Sequence, residues 1–227
     1  MKDYTNIGRV TWLSIGILFL YMAFNSCNNL QSTLMEQVGL ESVGFYLLGY
    51  LYLMMGVGSI VSSAMINKYG TRICLVCGGI GNIIYMLAQM MVGAKYQDMY
   101  ERTPPEEFPV QDWVICMCLF LAATVNGISV GTLWAAANQY VAQSASDSMK
   151  GFFFSYFWAW YMSSEIFGNL IAAYALGSFN LIYFFVIMMI IDFIATVSFA
   201  FIRKPAEVLH LRSVEHVSPK KETEVHQ

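Results

Sequence analysis

Residues 113–136 read WVICMCLFLAATVNGISVGTLWAA, a run of 24 residues without Lys, Arg, Asp or Glu. A helix of that length rises about 36 Å, enough to cross the roughly 30 Å hydrocarbon core of a bilayer. In lipid, a helix satisfies all its backbone polar groups within one segment, and the run lacks the alternation of a barrel strand. The run therefore predicts a transmembrane helix.

Five further segments are similarly apolar: three contain no charged residue, and the other two contain one carboxyl group each. Hydrophobic residues make up 57% of the 227 residues and charged residues only 12%, about half the charged share of a typical soluble domain. The sequence therefore predicts an all-α membrane protein, with a six-helix transmembrane domain over residues 1–204 and a polar, flexible tail over residues 205–227. The predicted spans are residues 10–30, 43–66, 73–92, 113–136, 152–174 and 181–202.

Positive charges are distributed unevenly between the two ends of these spans. If the N-terminus lies on the cytosolic side, segments on that side hold ten of the 12 Lys and Arg residues, and the opposite side holds Lys95 and Arg102. Cytosolic segments of membrane proteins carry an excess of Lys and Arg. We therefore expect both termini to face the cytosol or an equivalent compartment, in a membrane that the sequence does not specify.

Small residues recur every four positions in the fourth predicted span. Gly127, Gly131 and Ala135 fall on one face of a helix, where the absence of large side chains lets a neighbouring helix approach closely. Trp134 lies near the cytosolic end of this span, where it can anchor at the membrane interface or fill space in the bundle. We predict that these four residues serve helix packing.

Polar side chains inside the predicted spans form a second group of candidates. Polar groups in membrane spans usually face the bundle interior, because exposing them to lipid is costly. They are candidates for lining a cavity or for contacting a protein partner. For the two carboxyl groups, a proton or cation site and a neutral or paired structural acid are both open. The candidates are Asn25, Asn28, Asn29, Asn138, Gln139, Glu165, Asn169 and Asp192.

An aromatic run, GFFFSYFWAWYM, opens the fifth span at residues 151–162. Such a run at the start of a span is typical of an aromatic belt at the membrane interface, with a ligand platform as the alternative. The sequence contains no phosphate-binding Gly loop, metal-ligand cluster or nucleophile–base arrangement. We therefore predict no catalytic residue, no cofactor and no metal, and we do not expect an enzyme.

The link between the second and third spans, SAMINKYGTR at residues 63–72, resembles the short cytoplasmic loop of the major facilitator superfamily. Lys68, Gly70 and Arg72 match that pattern, whereas Asn67 replaces its Asp and Thr71 its Arg. The polar end of span one, this turn, GTLWAAANQYV (131–141) and EIFGNLIA (165–172) together resemble the Unc-ninety-three-like family of that superfamily. The resemblance covers about residues 8–204, the first half of a usual twelve-helix member.

The resemblance implies one six-helix half of a major facilitator fold, built from 3+3 inverted repeats. In that superfamily, substrate moves through a cavity between two such halves, whereas the Unc-ninety-three-like family is associated with regulating channels and escorting membrane proteins. We therefore expect a non-catalytic accessory, structural or regulatory subunit, whose partners are membrane lipids and other membrane subunits and not nucleic acid. The alternatives are a half-size secondary transporter that works as a dimer, and a fragment without its own role.

Overall fold

The computed structural model describes residues 4–100, 109–178 and 180–206, and no strand occurs among them. Every regular element in these ranges is helical. The elements are α1 (Ile7–Gln37), α2 (Glu41–Tyr69), α3 (Thr71–Tyr100), α4 (Asp112–Ser144), a 3₁₀ turn (Asp147–Met149), α5 (Lys150–Ser178) and α6 (Leu181–Ala200). Most of the predicted polar tail, residues 207–227, lies outside the described ranges.

Five of the six long helices in the described ranges, α1 to α4 and α6, are long and apolar enough to cross a membrane. α5 has 29 residues but is not among the helices apolar enough to cross a membrane by composition. Its Trp and Tyr residues, together with polar Glu165 and Asn169, lower the mean hydropathy of the segment. The structure is therefore that of an all-α, multi-pass membrane protein, and the crossing by α5 stays a prediction.

Several helices continue beyond the predicted spans. α1 runs to Gln37, α3 to Tyr100 and α4 to Ser144, because a helix keeps its backbone hydrogen bonds after it leaves the hydrocarbon core. At the end of the bundle where α3 finishes, Lys95 Nζ lies 2.6 Å from Asp112 Oδ1 at the start of α4. This ion pair joins the two helices.

The most extensive helix contacts are those of α4 with α2 and with α3, followed by that of α1 with α5. α2 lies along α4, and α1 lies along α5, while α3 contacts both α4 and α6 and α6 also contacts α1. The interior divides into two apolar clusters, one around Leu34, Leu119 and Phe185 and the other around Leu13 and Phe199. Because lipid is as apolar as these side chains, close van der Waals packing stabilises the bundle more than water exclusion does.

The contact between α2 and α4 depends on glycine. A Cβ atom added at Gly127 would lie 2.5 Å from Met54 Cβ and 2.8 Å from Leu51 O, and one at Gly131 would meet Met55 O. From the other side, Gly58 faces the backbone of Ile128. Ala135 is half-buried against the second apolar cluster. The backbones of α2 and α4 therefore touch at Gly127 and Gly131, two of the small residues of α4.

One end of the bundle is tied together by Asn6. Its Nδ2 donates hydrogen bonds to Ser144 O and Ala206 O, both at 3.1 Å, and its Oδ1 accepts one from Ala206 N at 2.9 Å. The start of α1, the end of α4 and the segment after α6 therefore meet at the same end.

Gly70 lies in the α2–α3 link with φ 84° and ψ 158°, a conformation that is essentially restricted to glycine.

Candidate functional site

A polar cavity of about 180 Å³ lies between α1, α2, α4 and α5. We call it the polar groove. Its wall mixes amides, one carboxyl group and aromatic side chains in a bundle whose other interior surfaces are mainly apolar. The polar and aromatic residues of the wall are Tyr21, Phe24, Asn25, Asn28, Asn29, Tyr52, Asn126, Trp134, Tyr161 and Glu165.

Amides from α1 reach the groove because of their spacing. Asn25, Asn28 and Asn29 are three and four positions apart, which places them on one face of a helix. The Asn29 Nδ2 atom donates a 2.6 Å hydrogen bond to Asn169 Oδ1 on α5. Next to it, a Cβ atom at Gly168 would lie 3.0 Å from Asn25 Cβ. The glycine thus lets α5 approach α1 closely enough for their amides to pair.

The carboxyl group of the groove belongs to Glu165. Tyr161, one helical turn earlier, donates a 3.3 Å hydrogen bond to Glu165 Oε1. Glu165 is half-buried, and no cationic side chain pairs with it among the residues that the structure describes. A carboxyl group within a membrane-embedded helix is stabilised by a polar cavity, by a partner or by protonation. The polar groove provides such a polar cavity for Glu165.

Aromatic rings close one side of the groove around Trp134. Trp134 stacks on Trp158 with centroids 5.5 Å apart and an interplanar angle of 12°, and it meets Tyr161 edge-on at 4.8 Å. The centre of the Tyr21 ring on α1 lies 5.1 Å from the centre of the Trp134 ring. Trp134 therefore fills space between three helices, the second of the two roles that the sequence leaves open.

Part of the aromatic run of α5 faces the interior of the bundle and not the membrane interface that the sequence predicts. Phe153 and Phe157 are fully buried, and Trp158 and Tyr161 pack on Trp134. The interpretation as an interface belt is wrong for Phe153 and Phe157, because the helical period turns one side of the run toward the bundle. Phe152, 45% exposed, fits a belt position.

Four candidate polar residues do not line the groove. Asn169 contacts it only through its hydrogen bond with the lining residue Asn29. Asn138 and Gln139 lie beyond Trp134 toward the end of α4 and are only half-buried. Asp192 is fully buried; its Oδ1 accepts a 3.1 Å hydrogen bond from Thr196 Oγ1 within α6. Asn138, Gln139 and Asp192 therefore take no part in this groove, and a role for them in another cavity or in a partner contact stays a prediction.

Sequence reasoning missed several interior polar residues. Asn126 lines the groove although it is fully buried, and neither polar atom of its amide has a hydrogen-bond partner among the described residues. Asn82 on α3 is fully buried and interacts electrostatically with Asp192. Gln89 on α3 donates to Gln31 Oε1 on α1. The available signal was an amide inside a charge-free apolar run, which is costly unless it faces other polar groups.

The residues of the cytoplasmic-loop motif lie at the end of the bundle marked by Asn6, away from the groove. Arg72 Nη2 donates a 2.7 Å hydrogen bond to Ile202 O, and Lys68 Nζ lies 5.0 Å from the centre of the Tyr69 ring. Asn67 is exposed. Arg72 thus fastens α3 to the segment after α6. The described residues contain no group of three His, Cys, Asp or Glu side chains arranged to hold a metal ion.

The comparisons with known proteins agree with this architecture. Residues 13–224 match the sequence profile of the Major Facilitator Superfamily. UNC93-like protein 3 of Arabidopsis thaliana is 24% identical over 173 residues, which cover 75% of this chain and 32% of that protein. The match thus spans about a third of that curated relative. No solved structure matches the chain. The resemblance found in the sequence is confirmed: the chain belongs to the major facilitator superfamily, with an UNC93-like protein among its relatives.

Proposed function

We propose that this chain is a non-enzymatic subunit of a membrane assembly, with an accessory, structural or regulatory role, and that a second membrane unit covers its polar groove. The observation that carries the proposal is the pairing of Asn29 with Asn169 on an exposed part of the bundle, beside the carboxyl group of Glu165. Amides and a carboxyl group at this place are costly to leave against lipid.

The surroundings of this polar face favour protein contact. On α5, Ile166, Phe167 and Leu170 are 63%, 50% and 63% exposed around the pairing residue Asn169. An apolar surface that encloses a few hydrogen-bonding groups has the composition of a protein interface. Membrane helices associate through close packing and hydrogen bonds between them, and this face offers both.

The finer architecture is part of the same proposal. We infer six crossings arranged as 3+3 inverted repeats, with both termini on the cytosolic side. The pairing of α1 with α5 is the counterpart of the pairing of α4 with α2, as expected if α1–α3 and α4–α6 are equivalent units. The ten-to-two distribution of Lys and Arg supports the orientation.

The proposal predicts a crosslink from the groove side to a second membrane protein. A photoreactive amino acid at Asn169 is expected to capture a membrane protein in native membranes. The same group at Ile190, which is 53% exposed on α6, serves as the matched control and is expected to meet lipid. Mass spectrometry of the products identifies the partner. No protein adduct at Asn169, or equal adducts at both positions, would contradict the proposal.

A second candidate function is one half of a secondary transporter, and the groove carboxyl group favours it. Glu165 lies with amides in a cavity, where it can bind and release a proton or cation. In proteoliposomes with a pH-sensitive dye inside, this function predicts proton flux under an imposed gradient, at least tenfold slower after Glu165→Gln. Glu36→Gln, at an exposed position near the end of α1, is the control and should leave the flux unchanged. Absence of flux from the pure protein would rule out this candidate for the chain alone.

A further inference from the structure

Two cavities meet on the opposite side of α1, between α1 and α6. The first, of about 340 Å³, lies at the end of the bundle marked by Asn6, and Arg9 and Arg203 line it. The second, of about 320 Å³, continues along the two helices and is lined almost entirely by apolar side chains. Trp12 belongs to both walls. Together the cavities form one cleft with a cationic mouth and an apolar interior.

The cationic mouth has hydrogen-bonding capacity to spare. Arg9 Nη1 donates one 3.0 Å hydrogen bond to Asn6 Oδ1, and an Arg side chain carries five N–H donors. Neither Arg9 nor Arg203 forms an ion pair with an acidic residue in the described ranges. The Tyr140 hydroxyl group, which donates a 2.6 Å hydrogen bond to Arg203 O, also borders the mouth. Arg side chains bind phosphate oxygens through paired, charge-assisted hydrogen bonds.

Contacts between α1 and α6 form the floor of the apolar part of the cleft. Gly16 lies against the Phe199 ring and the Ser198 Oγ atom, so α1 and α6 approach closely at the floor. Trp12 Nε1 donates a 3.1 Å hydrogen bond to Ser198 O, which fixes the ring at the junction of the two cavities. From Trp12 the cleft continues past Ile15, Phe19 and Ile194, which are 37%, 42% and 63% exposed. An apolar chain fits this surface along the helix direction.

We infer that the cleft between α1 and α6 binds an anionic phospholipid, with its phosphate between Arg9 and Arg203 and an acyl chain along Ile15, Phe19 and Ile194. Charge complementarity selects this occupant. The two cations at one end favour binding of an anion, and the apolar continuation favours binding of a hydrocarbon chain. An anionic membrane lipid has both parts in this order. Basic pockets between transmembrane helices bind anionic headgroups in the same way. The cleft is separate from the polar groove, so the inference does not depend on the proposed function.

The test is native mass spectrometry of the full chain in mild detergent, titrated with dioleoyl phosphatidylglycerol or dioleoyl phosphatidylcholine. The anionic lipid is expected to bind more tightly. The double variant Arg9→Gln with Arg203→Gln should weaken its binding about 30-fold, because each cation near the headgroup contributes roughly a factor of five. Binding of phosphatidylcholine, whose headgroup carries no net charge, should weaken much less. Lys68→Gln removes an exposed cation outside the cleft and should change neither affinity.

A second variant keeps the inference testable if the double variant folds poorly. Ile194→Trp fills the apolar part of the cleft between α1 and α6 and retains both arginines. It should weaken phosphatidylglycerol binding at least fivefold. Equal affinity for the two lipids, or equal losses in the double variant and in Lys68→Gln, would overturn the inference. Displacement of the lipid by millimolar inorganic phosphate would also overturn it, because the mouth would then be a site for a free anion. Retention of the lipid in phosphate supports it.

Discussion

Replacing Gly131 with Leu is expected to lower the free energy of unfolding by about 3 kcal/mol or more. A Cβ atom at this position would already meet Met55 O and would lie 2.8 Å from Ser59 N on α2. Those atoms belong to a helix backbone, which cannot rotate aside as a flexible side chain can. The longer Leu side chain must therefore separate α2 from α4 and disrupt the contact that Gly58 completes from the other side.

The control for this substitution is Gly56→Leu on α2. Gly56 is exposed, and a Cβ atom there has no other atom within 4 Å, so the change should be neutral or slightly stabilising because Leu favours helix over Gly. Unfolding of both variants in mixed micelles, followed by circular dichroism, measures the difference. Equal stabilities would show that the close approach of α2 and α4 contributes nothing.

Replacing Asp192 with Lys is expected to lower the free energy of unfolding by about 3 kcal/mol or more, because it encloses a charge without a partner. Asp192 is fully buried, and its Oδ2 atom has no hydrogen-bond partner in the described part of the chain. Its contacts are the uncharged side chains of Thr196 and Asn82. None of these groups can neutralise an ammonium ion.

Asp192→Asn is the matched control and should change stability by less than about 1 kcal/mol, because an amide keeps the acceptor for Thr196 and has the shape of a neutral carboxyl group. The same unfolding assay measures both variants. A large loss in Asp192→Asn would contradict this expectation and would indicate that Asp192 is ionised with a cationic partner.

The sequence predicts those features that depend on local spacing. Apolar runs of membrane length with at most one charged residue predict the helices, because a charge in hydrocarbon is costly at any position in a span. Asn25, Asn28 and Asn29 follow the helical period and therefore share the groove wall. Gly127 and Gly131 follow it too and therefore face a single neighbour. In each case one helix alone determines which residues lie together.

Features that depend on two distant helices could not be predicted in this way. Nothing in the spacing of α4 indicates that its glycine face meets Gly58 of α2. Asp192 stands in an apolar run, and its contact Asn82 is more than a hundred positions earlier in the chain. The aromatic run of α5 fits an interface belt by composition, and only the pairing with α1 and α4 turns Phe157 inward.

Native mass spectrometry of the complex extracted from its own membrane tests most directly whether a second membrane unit covers the polar groove. We expect an assembly heavier than the 25.6 kDa chain that contains a different membrane protein. An assembly of two copies of this chain would also cover the groove, and it would favour the transporter candidate over the accessory role. The free chain alone, extracted under conditions that preserve other membrane complexes, would contradict the proposal.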